Sequence, residues 1–315
     1  MNIRREPVSF IIPAYNCAGT IRQSVGSIFD GNFEAGDEII LIDDCSTDRT
    51  PKLLGEMQKT KDSIRVVRHN RNRGTAAASR NTGIECAVHN LLFCLDSDNV
   101  LAAGSVTPLH NRMRAAKADI AAFGEIHFFR TRPEEVTHKW LFKESVSLSD
   151  ALSGTLWPGP SGNYLFTRES WERAGRYHEP YLENRSVDSW VFGIRQLGTG
   201  SKMVTLPGTW YFHRYGHQSH YVRNARLGNQ SLAALVGLIP LLELIEEQDV
   251  EYLFSRDGRY AWYENLAEHP IRVKAVKPGK DGQIRYLPAF GQHPGLRGLN
   301  SLVKKIVSRL GGRRQ

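Results

Sequence analysis

The sequence predicts an α/β fold, a mostly parallel β-sheet flanked by helices and continued by a mainly helical C-terminal extension. Two observations carry that prediction. Apolar, β-branched runs alternate along the first hundred residues with segments whose apolar residues recur at helical spacing. Those runs are apolar at successive rather than alternate positions, as expected of strands covered by helices on both faces.

The elements follow in order. Val8-Ser9-Phe10-Ile11-Ile12 is a buried strand that Pro13 turns into a loop. Ile21, Val25, Ile28 and Phe29 place a helix over residues 18–29, and Asp37 to Ile42 is a second strand. The polar loop Asp43 to Asp48 then leads to a helix through Met57, with Thr47 or Asp48 as cap and Pro51 in its first turn. Ile64 to Val67 is strand three, Ala76 to Val88 a helix after the Gly74 loop, and Leu91 to Leu95 strand four. Beyond residue 100 the pattern is less regular. Strands are expected at Ile120–Phe123, Ile126–Phe129, Tyr164–Phe166, Val204–Leu206 and Trp210–Phe212, the last two flanking Pro207-Gly208. Helices are expected at Arg168–Ala174, at Glu183–Leu197 with Asp188 near its start, and from Arg223 onward.

Three hundred and fifteen residues with 41% apolar side chains suffice for a substantial core without disulfide or metal staples. Cys17, Cys45, Cys86 and Cys94 form no Cys-x-x-Cys pair, so they read as buried free thiols. The longest apolar run, Leu232 to Ile245, contains Pro240 and Glu243 and is too short and broken to span a bilayer. Residues 1–7 show no long apolar run or cleavage site of a secretory signal, so a cytoplasmic location, or a peripheral one at the inner face of the membrane, is expected. The net charge of +8 is uneven: from Arg256 onward 13 Lys or Arg face 4 Asp or Glu, whereas 28 face 29 before it. A nucleic-acid enzyme would spread such charge over its body, so no nucleic-acid partner is expected.

In an open parallel sheet, ligands bind in the crevice beyond the carboxyl ends of the strands. Here that rule gathers Pro13-Ala14-Tyr15-Asn16, Asp43-Asp44 and Asp96-Ser97-Asp98-Asn99 into one cleft. Carboxylates so gathered repel one another unless a cation or donors compensate, and hard oxygen ligands suit Mg²⁺ or Mn²⁺.

An ordered set of motifs runs through the chain: Val-Ser-Phe-Ile-Ile-Pro-Ala-Tyr-Asn from Val8, Asp43 to Asp48, Asn72-Arg73-Gly74, Arg80 to Ile84 and Asp96-Ser97-Asp98. Gly162-Asn163, Val187-Asp188-Ser189-Trp190 and Phe212-His213-Arg214 complete it, over roughly residues 7–220. The set resembles the family 2 glycosyltransferases. The resemblance implies the GT-A fold, a Rossmann-like sheet, and an inverting transfer of a sugar from a nucleotide diphosphate donor to a glycan or lipid-linked glycan in cell-surface polysaccharide synthesis. It assigns Pro13, Ala14, Tyr15, Asp44, Arg80 and Asp96 to the nucleotide, with Tyr15 stacking on the base and Asp44 accepting from it. Asp98 and His213 are assigned to a Mn²⁺ or Mg²⁺ ion, Asp188 to the general base, and Trp157, Gly162 and Asn163 to the acceptor. Two departures stand out: the interval from Gly74 to Arg80 is one residue longer than the common pattern, and Val187 replaces the acid expected before Asp188.

The expected organisation is a catalytic domain over 1–222, with a nucleotide half over 1–100 and an acceptor half over 101–222. A mainly helical extension follows over 223–294, then a basic amphipathic tail over 295–315. Leu296, Leu299, Leu302, Val303, Ile306, Val307 and Leu310 give that tail an apolar face, to dock on the catalytic domain or on an anionic membrane. A sugar nucleotidyltransferase would show a Gly-rich basic loop after strand one, and a dehydrogenase Gly-x-Gly-x-x-Gly; neither is present. A binding protein that has lost turnover shares every feature except the need for Asp188.

Overall fold

The computed structural model describes residues 5–153, 162–179, 188–216 and 230–274. Strands β1 (Val8–Ala14), β2 (Glu38–Asp43), β3 (Ile64–Arg68) and β4 (Leu91–Cys94) form the parallel half of one sheet, in the order β3-β2-β1-β4. Helices α1 (Ile21–Phe29), α2 (Thr50–Thr60) and α3 (Ala76–Cys86) connect them. The short β5 (Val100–Leu101) and helix α4 (Val106–Ala116) lead to β6 (Ile120–Phe129). There follow β7 (His138–Leu141), β8 (Ser145–Val146), α5 (Leu148–Leu152), β9 (Leu165–Thr167), α6 (Arg168–Arg173), α7 (Asp188–Gly198) and β10 (Met203–Arg214).

The sheet continues β4-β9-β6-β10-β5, with β9 antiparallel to both neighbours. β6 and β10 therefore run in the same direction as β1 and β4, and six strands end at one edge. Side chains of β1 show why both faces had to be apolar. Phe10 and Ile12 enter a core with α1, α2 and α4, while Ile11 enters the opposite core with α3, α5 and α7. Burying each such side chain stabilises by about 1.5–3 kcal/mol.

Three expectations are corrected. Pro13 does not end β1, which runs to Ala14. Ile11 accepts from Leu95 on the β4 side, so Pro13 points the same way, past the last β4 pair, where a missing N–H costs nothing. Ile120–Phe123 and Ile126–Phe129 are one strand, and so are Val204–Leu206 and Trp210–Phe212. Both breaks read from the sequence belong to a single feature. The register of β10 slips between Leu206 and Trp210, and the bulge crosses Gly124, where a Cβ would lie 2.6 Å from the Leu206 carbonyl.

Beyond the sheet, α8 (Gln230–Leu238) and a 3₁₀ turn (Ile239–Leu244) pack on α7, α10 (Gly258–Ala261) packs on α8, and α9 (Glu247–Phe254) packs on α10. Trp190 lies 5.8 Å from Trp262 and 4.9 Å from Tyr263, and Arg195 donates to the Gly237 carbonyl at 3.0 Å. The helical extension thus shares a core with the helix that begins at Asp188. Among the described residues no helix is long and apolar enough to cross a membrane. Trp157, Val187 and the tail 295–315 lie outside the described residues.

Candidate functional site

The carboxyl ends of β1, β2 and β4 bring the first motifs together as the crevice rule requires. Tyr15, just past β1, is 50% exposed. The next residue fixes its setting. Asn16 adopts φ +48°, and its Oδ1 accepts the Thr47 N–H at 2.8 Å and the Asp48 N–H at 3.2 Å, joining the β1 loop to the β2 loop. Pro13 and Ala14 are buried strand residues whose contribution is backbone: the Asp44 N–H donates to the Ala14 carbonyl at 2.9 Å.

Asp44 is buried and already partnered. His69 Nδ1 lies 2.7 Å from its Oδ1, and the Arg73 N–H reaches both oxygens at 3.0 and 3.1 Å. Asn72 donates to the Asp44 carbonyl at 3.0 Å, and His69 Nε2 lies 3.0 Å from Thr82 Oγ1. The Asn-Arg-Gly loop therefore holds Asp44 in place. His69 carried no signal in the sequence, since a lone histidine after a strand is usually structural.

Arg80 sits on the buried face of α3. One guanidinium nitrogen donates to Asp188 Oδ2 at 2.6 Å, the other to Asp96 Oδ1, and the group lies over the Tyr177 ring at 5.3 Å. Burial alone would push this group down, yet the Asp188 and Asp96 carboxylates outweigh it and hold Arg80 well above its ordinary value. Asp96 is engaged on its other oxygen by the Asn163 and Asn99 amides, each at 3.2 Å, and its N–H donates to Asn163 Oδ1 at 2.9 Å. Gly162, at φ +84°, lets that asparagine approach: a Cβ there would stand 2.8 Å from Ser189 Oγ and 3.7 Å from Arg80. Asn163 and Gly162, expected on the acceptor side, thus brace Asp96 and the start of α7.

Asp98 differs from Asp96. Among the described residues no side chain hydrogen-bonds to its carboxylate, and only its carbonyl is held, by Arg214 Nε at 3.2 Å. Desolvation, reinforced by the neighbouring Asp96 charge, pushes the Asp98 carboxyl up to about 7. β5 pairs with β10 and so sets His213 beside this turn, its Nδ1 3.3 Å from Asn99 Nδ2. Burial pushes His213 down from its ordinary value, against the pull of Asp96. Asn99 Oδ1 is taken by the Arg214 N–H at 3.0 Å, so its amide N–H₂ faces the ring and the neutral imidazole carries its proton on Nε2. Ligation through Nε2 would require that amide to reverse.

The chemistry at Asp98 is compatible with a hard divalent cation: its carboxylate has no side-chain hydrogen-bond donor among the described residues, and the Arg214 and Arg80 charges do not outweigh its burial beside Asp96. Among the described residues no group of three or more His, Cys, Asp or Glu is arranged to hold a metal unaided. A Mg²⁺- or Mn²⁺-type ion, which retains waters and takes substrate phosphates, suits a site with so few protein ligands.

Comparison with known proteins identifies the family and the fold. Residues 9–174 match the profile described as Glycosyl transferase family 2. The poly(ribitol-phosphate) beta-N-acetylglucosaminyltransferase TarP of Staphylococcus aureus (strain N315) is 30% identical over 237 residues, 73% of this chain and 70% of that protein. The succinoglycan biosynthesis protein ExoO of Rhizobium meliloti (strain 1021) is 34% identical over 114 residues, 36% of this chain and 32% of ExoO. Among solved structures, S. aureus TarS 1-349 in complex with UDP-GlcNAc superposes with a TM-score of 0.62 at 18% identity, covering 83% of this chain and 72% of that one. The mannosyltransferase PcManGT of Pyrobaculum calidifontis, in complex with GDP-Man and Mn²⁺, gives a TM-score of 0.55 at 19% identity, over 76% of this chain and 69% of that one.

Proposed function

The chain belongs to glycosyl transferase family 2 and has the GT-A fold, and from that premise we propose that it moves a sugar from a nucleotide diphosphate donor to a hydroxyl of a glycan or lipid-linked glycan, with inversion. TarP and ExoO point to cell-surface polysaccharide synthesis, and TarS makes UDP-GlcNAc the first donor to test.

One observation carries this reading. Arg80 ties Asp188 to Asp96 across 108 and 16 residues of sequence, so the candidate base and the Asp-Ser-Asp turn share one buried guanidinium. In this proposal Tyr15 stacks on the base and Asp44 receives its N–H, both at the end of the parallel half-sheet. Asp98, with His213, would hold a Mn²⁺ or Mg²⁺ ion, which supplies positive charge to the departing diphosphate when bound. Asp188 accepts the proton of the acceptor hydroxyl as that oxygen attacks the anomeric carbon. Arg80 keeps the Asp188 carboxylate aimed along the line set by Asp96. The proposed organisation keeps a nucleotide half over 1–100, an acceptor half over 101–222, and the basic tail 295–315 at an anionic membrane.

The test is transfer from UDP-GlcNAc and other nucleotide sugars to glycan acceptors with Mn²⁺ and with chelator. Asp188→Asn should remove transfer while leaving donor affinity within about twofold, a change of under 0.5 kcal/mol. Equal transfer by the variant, or no turnover of any nucleotide sugar by the wild type, overturns the proposal.

A further inference from the structure

A row of rings lies at the same sheet edge, beside His213, and none of the roles above uses it. Phe128 is the floor, only 7% exposed. His138 lies flat against it, with centroids 4.3 Å apart and planes within 5°. Trp140 meets Phe128 edge-on at 4.7 Å, and Tyr215 stands 5.4 Å from His138. Arg130 lies over the Tyr215 ring at 5.1 Å and donates to its hydroxyl at 3.0 Å. On the inner side Phe128 is 5.1 Å from His213.

Register explains the row. His138 and Trp140 of β7 pair with Phe128 and Ile126 of β6, and His213 of β10 pairs with Phe128, so one face of three strands carries all of them. Because β6 and β10 run parallel to β4, this face ends where the Asp98 turn ends. Trp140 remains 38% exposed and His138 is exposed, although packing alone would favour covering such rings. Flat apolar rings rimmed by an imidazole, a phenol and a guanidinium match one kind of ligand. A pyranose presents an apolar C–H face to a ring and hydroxyls to the rim. An acyclic polyol phosphate offers no face to stack.

We propose that Phe128, His138, Trp140 and Tyr215 form a subsite for a pyranose ring of the acceptor glycan, beside His213 on the sheet face that carries the α1, α2 and α4 core. This deepens the glycosyltransferase reading and rests on it for which sugar is extended, but not for the binding itself.

Direct binding to the full chain tests it, using fluorescently labelled tetrasaccharides of glucose, mannose, galactose and N-acetylglucosamine, a ribitol phosphate hexamer, and phosphatidylglycerol vesicles. At least one pyranose tetrasaccharide should bind. Trp140→Ala should weaken that binding about tenfold and Trp140→Phe should restore most of it, since an aromatic face is the element removed. Nucleotide-sugar affinity should stay at the wild-type value in both variants. The subsite is overturned if no tetrasaccharide binds, if Trp140→Ala binds as well as wild type, or if only ribitol phosphate or vesicles bind. Tetrasaccharide binding lost in Trp140→Ala supports the subsite even where no nucleotide sugar is turned over, a result that overturns the catalytic reading alone.

Discussion

Replacing Arg80 by methionine keeps the apolar stem and removes the charge that two carboxylates share. The side chains of Arg80, Asp188 and Asp96 are 3%, 12% and 24% exposed, so water cannot take over from the guanidinium. Removing one partner of a buried pair costs about 3–5 kcal/mol. Asp96 keeps its two asparagine donors and is the more open of the two, which discounts the loss to about 2–4 kcal/mol. Against a total stability of about 5–15 kcal/mol, that is a large fraction. The melting temperature should fall by roughly 5–10 °C. The cause is testable by a cycle with Asp188→Asn. If the stranded Asp188 charge is what destabilises Arg80→Met, the double variant should regain at least about 1 kcal/mol over additivity. Urea and thermal unfolding of the four proteins would measure it. A single variant melting within about 2 °C of wild type, or a cycle additive within about 0.5 kcal/mol, refutes the coupling.

Asp98→Asn should abolish Mn²⁺-dependent donor binding without lowering stability. Its folded pKa, about 7, lies above the unfolded value, so its contribution to stability is full at low pH and is lost as pH rises through about 7. In chelator, thermal unfolding should find the variant more stable than wild type at pH 8, with the difference closing towards pH 5; a variant less stable at pH 8 contradicts this. Tyr15→Ala, at an exposed position, should leave stability within about 0.5 kcal/mol while nucleotide affinity by calorimetry falls about tenfold, with Tyr15→Phe retaining most of it. Equal affinity in the alanine variant removes the stacking role. Gly162→Ala forces φ +84° on a side chain 2.8 Å from Ser189 Oγ, so it should cost about 1–3 kcal/mol and slow turnover by shifting the start of α7. Unchanged unfolding and unchanged kcat would show that the contact relaxes freely.

The parallel half of the fold was legible because its signals are local. β1, β2 and β4 are dominated by apolar runs, and the crevice rule needs only strand order and direction to gather Tyr15, Asp44, Asp96 and Asp98. The second half was harder to read because its punctuation is tertiary. Gly124 looks like a break in a strand until the bulge of β10 lies across it. The contacts that the bracing residues make were hidden for the same reason. Asn163 reads as a loop residue before a strand, and nothing within residues 157–163 says that its amide closes on Asp96. Arg80 offered one faint signal. It lies in a helix of alanines, serine, asparagine and glycine, where a long cation on the packed face needs a carboxylate partner, but not which one.

Asp96 and Asp98 are two residues apart and chemically identical, yet the fold separates their tasks by what it places around each. Asp96 receives a guanidinium, two asparagine amides and a backbone anchor, so its charge is neutralised from within. Asp98 receives no side-chain donor among the described residues and is left partly protonated near neutral pH. Arg80, committed by hydrogen bonds to Asp96 and Asp188, reaches Asp98 only as a more distant charge beside that of Arg214, and the two together do not offset burial and the Asp96 carboxylate. The order in which the chain meets its carboxylates therefore says little about their chemistry. The reach of one arginine from α3 decides which of them is braced by a direct ion pair and which is not.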